Sequence, residues 1–126
     1  MSSLHLNDGI QFVKDWIAAL RSGKYQQCVG YLRADGCFCA IGVGCDVLAN
    51  QGIGEWRGNA FFYMEDRRTA SFPWEISKVI RNSFNGVREM CELDDLASNL
   101  NDTKRDFKEI ADRIEEALNR YLASHG

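Results

Sequence analysis

Apolar positions recur at helical spacing in five stretches of this chain. From Asn7 to Arg21, Val13, Trp16, Ile17 and Leu20 fall three and four residues apart, and Asp8 with Gln11 offers a capping-box start. The spacing predicts a helix there, closed at Ser22-Gly23, because glycine accepts the left-handed conformation that ends a helix. The longest stripe comes last: Phe107, Ile110, Ala111, Ile114, Leu118, Tyr121 and Leu122, with Thr103 and Asp106 as caps. Between these, Pro73 stands as a first helical residue before Ile76, Val79, Ile80 and Phe84, and Asn85-Gly86 ends that helix. Glu89 to Leu100 carries Leu93, Leu96, Ala97 and Leu100 on one face. Leu100-Asn101-Asp102 then reads as a tight corner, with Asp102 as a further cap for the last helix.

The stretch from Leu20 to Leu48 has a different pattern and holds four of the five cysteines. Asp35-Gly36 is a two-residue hairpin signal, since both central positions of such a turn need positive φ, and Cys28–Arg33 and Cys37–Ala40 flank it as strands. Cys39 to Ala49 continues as the fifth, buried helix, with Ile41, Cys45 and Leu48 on one stripe and Gly42 and Gly44 permitting close backbone approach. Gly52, Gly54 and Gly58 interrupt the next segment, Asn59 to Met64 reads as a further strand, and Glu65 to Ser71 reads as a charged loop. The expected fold is α+β, a single globular domain over residues 1–126. About five helices surround one small antiparallel sheet, built from the hairpin and the Phe61–Met64 region.

Composition narrows the function classes. The 126 residues are 45% hydrophobic and 26% charged, an ordinary globular balance. A net charge of −3 without a basic block excludes the footprint of a protein that binds a long nucleic acid. No apolar run approaches a membrane span, and Met1 to Asp8 lacks the features of a signal peptide, so a cytoplasmic protein is expected. In that compartment an odd number of cysteines reads as reduced thiols.

The chemistry-bearing residues form no recognisable catalytic set. Cys28, Cys37, Cys39 and Cys45 lack the knuckle spacing of a zinc site, and both histidines, His5 and His125, lie at the chain ends. Cys39 at a helix start could be an activated thiol, but it has no histidine near in sequence. Asp94 and Asp95 diverge on a helix, and Gly42-x-Gly44 lacks the rest of a dinucleotide loop, so no cofactor is expected. What remains is polar and aromatic: Lys24, Tyr25, Gln27, Arg33, Trp56, Arg57, Phe62, Arg67 and Arg68. Arginine forks suit phosphate and aromatic rings supply a stacking face. The predicted site therefore joins Lys24, Tyr25 and Gln27 to Trp56, Arg57, Phe62, Arg67 and Arg68, taking either a small phosphorylated ligand or a protein partner. Phe61, Phe62, Tyr63, Phe72 and Trp74, read as weakly patterned for burial, further predict an exposed patch and a homo-oligomer.

Three segments carry a resemblance. Leu20-Arg21-Ser22-Gly23-Lys24-Tyr25-x-Gln27 with Leu32-Arg33, then Phe38-Cys39-x-Ile41-Gly42-Val43-x-Cys45-Asp46, then Leu100-Asn101-Asp102 with Phe107-x-Glu109-Ile110-Ala111-Asp112-x-Ile114-Glu115, resemble a family of small uncharacterised bacteriophage and prophage proteins. The chain departs from that family at Phe38-Cys39-Ala40, where two adjacent cysteines and a leucine are expected, and at Phe72-Pro73, where the helix is led by Leu-Pro. The resemblance implies a phage-encoded accessory protein in the bacterial cytoplasm. By analogy it is a non-enzymatic binder that sequesters a nucleotide-type host signal or inhibits a host defence protein. The alternative is a small thiol- or carboxylate-dependent hydrolase of a nucleotide.

Overall fold

In the computed structural model, which describes residues 6–64 and 66–125, Asp8 opens α1 (Gly9–Arg21) by accepting the Gln11 backbone N–H at 3.0 Å. The capping box is not reciprocal, because the Gln11 side chain turns forward to Asp15. Gly23, at φ +77°, turns the chain into β1 (Gln26–Gln27). The start of the chain through His5, on which the signal-peptide reading and one candidate zinc ligand fall, lies outside the described residues, as does Glu65.

The hairpin forms where the sequence places it. Asp35 and Gly36 take φ +51° and +85°, and β2 (Arg33–Ala34) pairs antiparallel with β3 (Cys37–Phe38). The strands are only two residues long, however, and the other edge of β3 is taken by β1, running parallel, with Gln27 opposite Phe38. That parallel addition corrects the reading of the cysteines as thiols. It brings Cys28 beside Cys37, with Cα atoms 5.6 Å apart, and the two form a disulfide. A hairpin alone would have held Cys28 far along the opposite strand. Cys39, Cys45 and Cys91 remain free.

The segment after α2 (Ala40–Asn50) was expected to join this sheet through Phe61–Met64, and it does not. It folds on itself as a separate antiparallel meander of β4 (Glu55–Arg57), β5 (Ala60–Tyr63) and β6 (Arg67–Thr69). Arg57 pairs with Ala60 across a Gly58-Asn59 turn, so the glycine read as an interruption is a hairpin signal of its own. The expected charged loop contains β6. Alternation along β5 buries Phe61 and Tyr63, and Phe72 is buried against Phe12 and Trp16. The expected aromatic patch is therefore mostly core: Phe62 is half-buried and only Trp74 stays largely exposed, at 63%.

Four more helices complete the chain: α3 (Trp74–Ser83), α4 (Arg88–Cys91), α5 (Leu93–Asp102) and α6 (Phe107–His125). The stretch read as one helix from Glu89 to Leu100 is two, broken at Glu92, which leaves helical dihedrals (φ −108°, ψ 18°). Met90 and Leu93 are both buried and three residues apart, so the apolar period runs through the break and hides it. The corner also comes later than expected. Asp102 belongs to α5, the Thr103 hydroxyl donates back to the Asn99 and Leu100 carbonyls, Lys104 takes φ +64°, and Asp106 caps α6 by accepting from Glu109 N. α1 packs against α2, α3 and α6. Trp16 sits in the middle of that core and donates its indole N–H to the Ala40 carbonyl at 3.0 Å. Arg21 ties α1 to α6 at the surface through Asp112 and Glu115. Among the described residues no helix is long and apolar enough to cross a membrane.

Candidate functional site

The loop between β1 and β2 is fastened at its base by four separate devices. The Cys28–Cys37 disulfide closes it covalently. Cys28 N donates to Phe38 O at 2.9 Å, and Cys39 N donates to Leu32 O at 3.2 Å. Gly42 of α2 lies directly under the Leu32 carbonyl, where a Cβ would collide with backbone. The fourth is Asn101, the one buried polar residue among those described, at 1% exposure. Its Nδ2 donates to Cys28 O at 2.9 Å, while its Oδ1 accepts from Ala40 N at 3.2 Å and from Gln27 Nε2 at 2.8 Å. A buried amide that satisfies several backbone groups fixes their relative positions, since any one left unpaired costs about 1–3 kcal/mol. The rim of the loop, by contrast, faces solvent: Tyr31 is 65% exposed.

Between this loop and the meander lies a cleft of about 590 Å³. Gly30 to Ala34 form one wall, and Asn59, Ala60, Arg68, Thr69 and Ala70 form the other. Two arginines thus line one concavity from opposite sides, Arg33 and Arg68. Neither guanidinium meets a carboxylate among the described residues, whereas most of the other arginines do. The Thr69 hydroxyl oxygen, in the same wall, is buried without a hydrogen-bond partner.

Arg33 rests on a wall of rings. Its guanidinium carbon stands 5.1 Å from the Trp56 ring centroid and 5.8 Å from that of Phe38. Tyr25, Phe38, Trp56 and Phe61 succeed one another edge to face with centroids 5.0–5.9 Å apart. Asp46 holds this wall from behind, accepting from Trp56 Nε1 at 3.0 Å and from Tyr25 Oη at 2.6 Å. Burial, with the Asp46 hydrogen bond and charge, pushes the Tyr25 phenol well above its ordinary value.

The residues expected from sequence are therefore divided. Tyr25 and Trp56 do converge, but on Asp46 as a support rather than on the cleft. Gln27 is structural, its amide spent on Asn101 and on the Arg105 carbonyl. Arg57 is held by Glu55 and Asp66 and lies over the Phe62 ring at 4.3 Å, and Arg67 is held by Glu75 and lies over Tyr63. Lys24 sits exposed at the corner after α1, away from the cleft lining. Of the expected set only Arg68 lines the cleft. Sequence reasoning noted Arg33 without placing it in the site and missed Tyr31, Asp46, Asn59 and Asn101. The available signal was the Asp35-Gly36 turn, which fixes Arg33 at the end of β2 beside the aromatic strand it pairs with.

Cys39 caps α2, its sulfur accepting from Gly42 N at 3.4 Å, and burial raises its thiol. A nucleophilic thiol needs the opposite shift. His125 stacks on Tyr121 at the end of α6, and among the described residues no group of His, Cys, Asp and Glu is arranged to hold a metal ion.

The family model described as a domain of unknown function, DUF8296, matches residues 10–118, a span that contains both walls of the cleft. The chain belongs to that family. No curated protein and no solved structure matches it.

Proposed function

We propose that the protein acts by binding, and that its ligand is a small phosphorylated or nucleotide-type anion held in the cleft between residues 30–34 and the meander. One observation carries this reading: Arg33 and Arg68 line the same concavity with no carboxylate engaged among the described residues, while Arg57 and Arg67 are neutralised. Unpaired arginines on a rigid support keep their donors for a ligand and lose little freedom on binding it. The net charge of −3 favours a small anion in a local pocket over a polyanion. The resemblance to small phage and prophage proteins supports a role as an accessory factor in the bacterial cytoplasm, sequestering a host signal of this chemistry. That setting stands in tension with the Cys28–Cys37 disulfide, since such bridges are rare in reducing compartments.

Calorimetric titration with inorganic phosphate, pyrophosphate and a panel of linear and cyclic nucleotides tests the reading. Arg33→Ala and Arg68→Ala should each weaken binding by about tenfold or more, the worth of a charge-assisted hydrogen bond, while Arg57→Ala leaves it unchanged. Absence of binding at millimolar ligand overturns the reading, and conversion of a nucleotide to product would move the protein to the hydrolase class.

A second reading, inhibition of a host protein, is favoured by the exposure of Tyr31 on the cleft rim, because tyrosine beside arginine is a frequent interface anchor. Capture of a defined host protein that Tyr31→Ala abolishes would select it. Self-association retains the exposed Trp74 as its remaining basis, and light scattering of Trp74→Ala against the parent checks it.

A further inference from the structure

We propose that the cleft continues past Tyr31 into a second compartment that selects, among phosphorylated ligands, those carrying a ribose-type diol. This rests on the reading of Arg33 and Arg68 as the anion-binding end. A second cavity of about 200 Å³ shares Gly30, Tyr31, Leu32 and Ala70 with the first, so the two lie against each other along the same loop. Their combined size falls within the roughly 300–1,000 Å³ of small-molecule sites.

The two compartments have opposite character. The first is lined by two arginines that meet no carboxylate among the described residues. The second is lined by the start of α2 and by Ser98, Asn101 and Asp102 of α5. Asn101 has its Oδ1 fully engaged by Gln27 and Ala40 and one of its two Nδ2 hydrogens on Cys28, so at most a single donor remains for a ligand. Asp102 is exposed and makes no hydrogen bond or ion pair among the described residues, and the Ser98 hydroxyl is half-buried beside it in the lining. A carboxylate accepts only. It repels a second phosphate and favours a pair of hydroxyl donors, which is how an acidic residue recognises a ribose. The exposed Tyr31 ring, common to both compartments, offers a face on which a base can stack. A molecule with phosphate at one end and vicinal hydroxyls some ångströms away satisfies both ends at once, and this chemistry is that of a ribonucleoside monophosphate.

The test is calorimetric titration of the full chain with inorganic phosphate, adenosine 5′-monophosphate and its 2′,3′-dideoxy counterpart, repeated on Asp102→Asn and Arg68→Ala. The ribonucleotide should bind about tenfold tighter than the dideoxy compound, and Asp102→Asn should narrow that difference. Arg68→Ala should weaken all three. Equal affinity for the ribo and dideoxy compounds overturns the second compartment, even where Arg68-dependent phosphate binding preserves the anion reading. If none of the three binds, both readings fall together. The ribo-to-dideoxy comparison needs no variant, so it holds even if a substitution disturbs folding.

Discussion

The Tyr25 hydroxyl donates to Asp46 at 2.6 Å, joining the corner after α1 to the middle of α2 and bracing the ring wall under Arg33. Because burial and Asp46 raise the Tyr25 phenol, the folded protein holds that proton more tightly than the unfolded chain. The stability it contributes is complete below about pH 10, the unfolded value, and is lost as pH rises toward the folded one. Urea melts should therefore show stability falling above about pH 10. Tyr25→Phe should flatten that fall and cost about 1 kcal/mol at neutral pH. Part of the slope should remain, because burial and Glu75 also raise the Tyr63 phenol.

Asn101→Ala strands the Cys28 carbonyl, the Ala40 N–H and the Gln27 amide near a buried surface. A loss of about 2–4 kcal/mol is expected, read from the denaturation midpoint. Asn101→Asp should also destabilise, since it keeps the acceptor and removes the donor to Cys28. An effect of either variant within about 0.5 kcal/mol would contradict the network.

The denatured protein without reductant should present three reactive thiols, and five after reduction. Cys28→Ser together with Cys37→Ser should lower stability by about 2–3 kcal/mol, the entropy of a short closed loop. The same variant should weaken anion binding, because Gly30 to Ala34 form one wall of the cleft. Five thiols without reductant would remove the bridge from the account.

Glycine to alanine inside a helix ordinarily stabilises by up to about 1 kcal/mol. Gly42→Ala should do the reverse by about 1–3 kcal/mol, because the new Cβ meets the Leu32 carbonyl and neither helix nor loop can yield cheaply. A thermal melt decides the sign.

The local physics of this chain was readable in its sequence, and the long-range pairing was not. The caps at Asp8 and Asp106, the Asp35-Gly36 turn and the glycine stop after α1 depend on neighbours within four residues, and each formed as the residue types require. The parallel docking of β1 on β3 depends on how α1 leads the chain back across the hairpin, and two-residue strands carry no alternation to announce it. The disulfide follows from that docking, so it was hidden too. The expected site residues turn out not to share one cleft for a related reason. Arginines look alike in sequence, and what separates Arg68 from Arg57 and Arg67 is which of them a carboxylate has already claimed.

Asn101 has a dynamic consequence. Its bonds to Cys28, Gln27 and Ala40 span 73, 74 and 61 positions, so they form only once both halves of the chain are in place. The loop it holds buries little apolar surface of its own. The Asn101 amide is therefore one part of a latch: only when it lets go together with the Cys39 N to Leu32 O bond is the loop left to move about its disulfide, with no helix melted. Opening of that kind costs far less than global unfolding, and amide hydrogens of residues 29–34 should exchange as one group, earlier than those of α1 or α6. A ligand seated across Arg33 and Arg68 would hold the same latch shut from the outside.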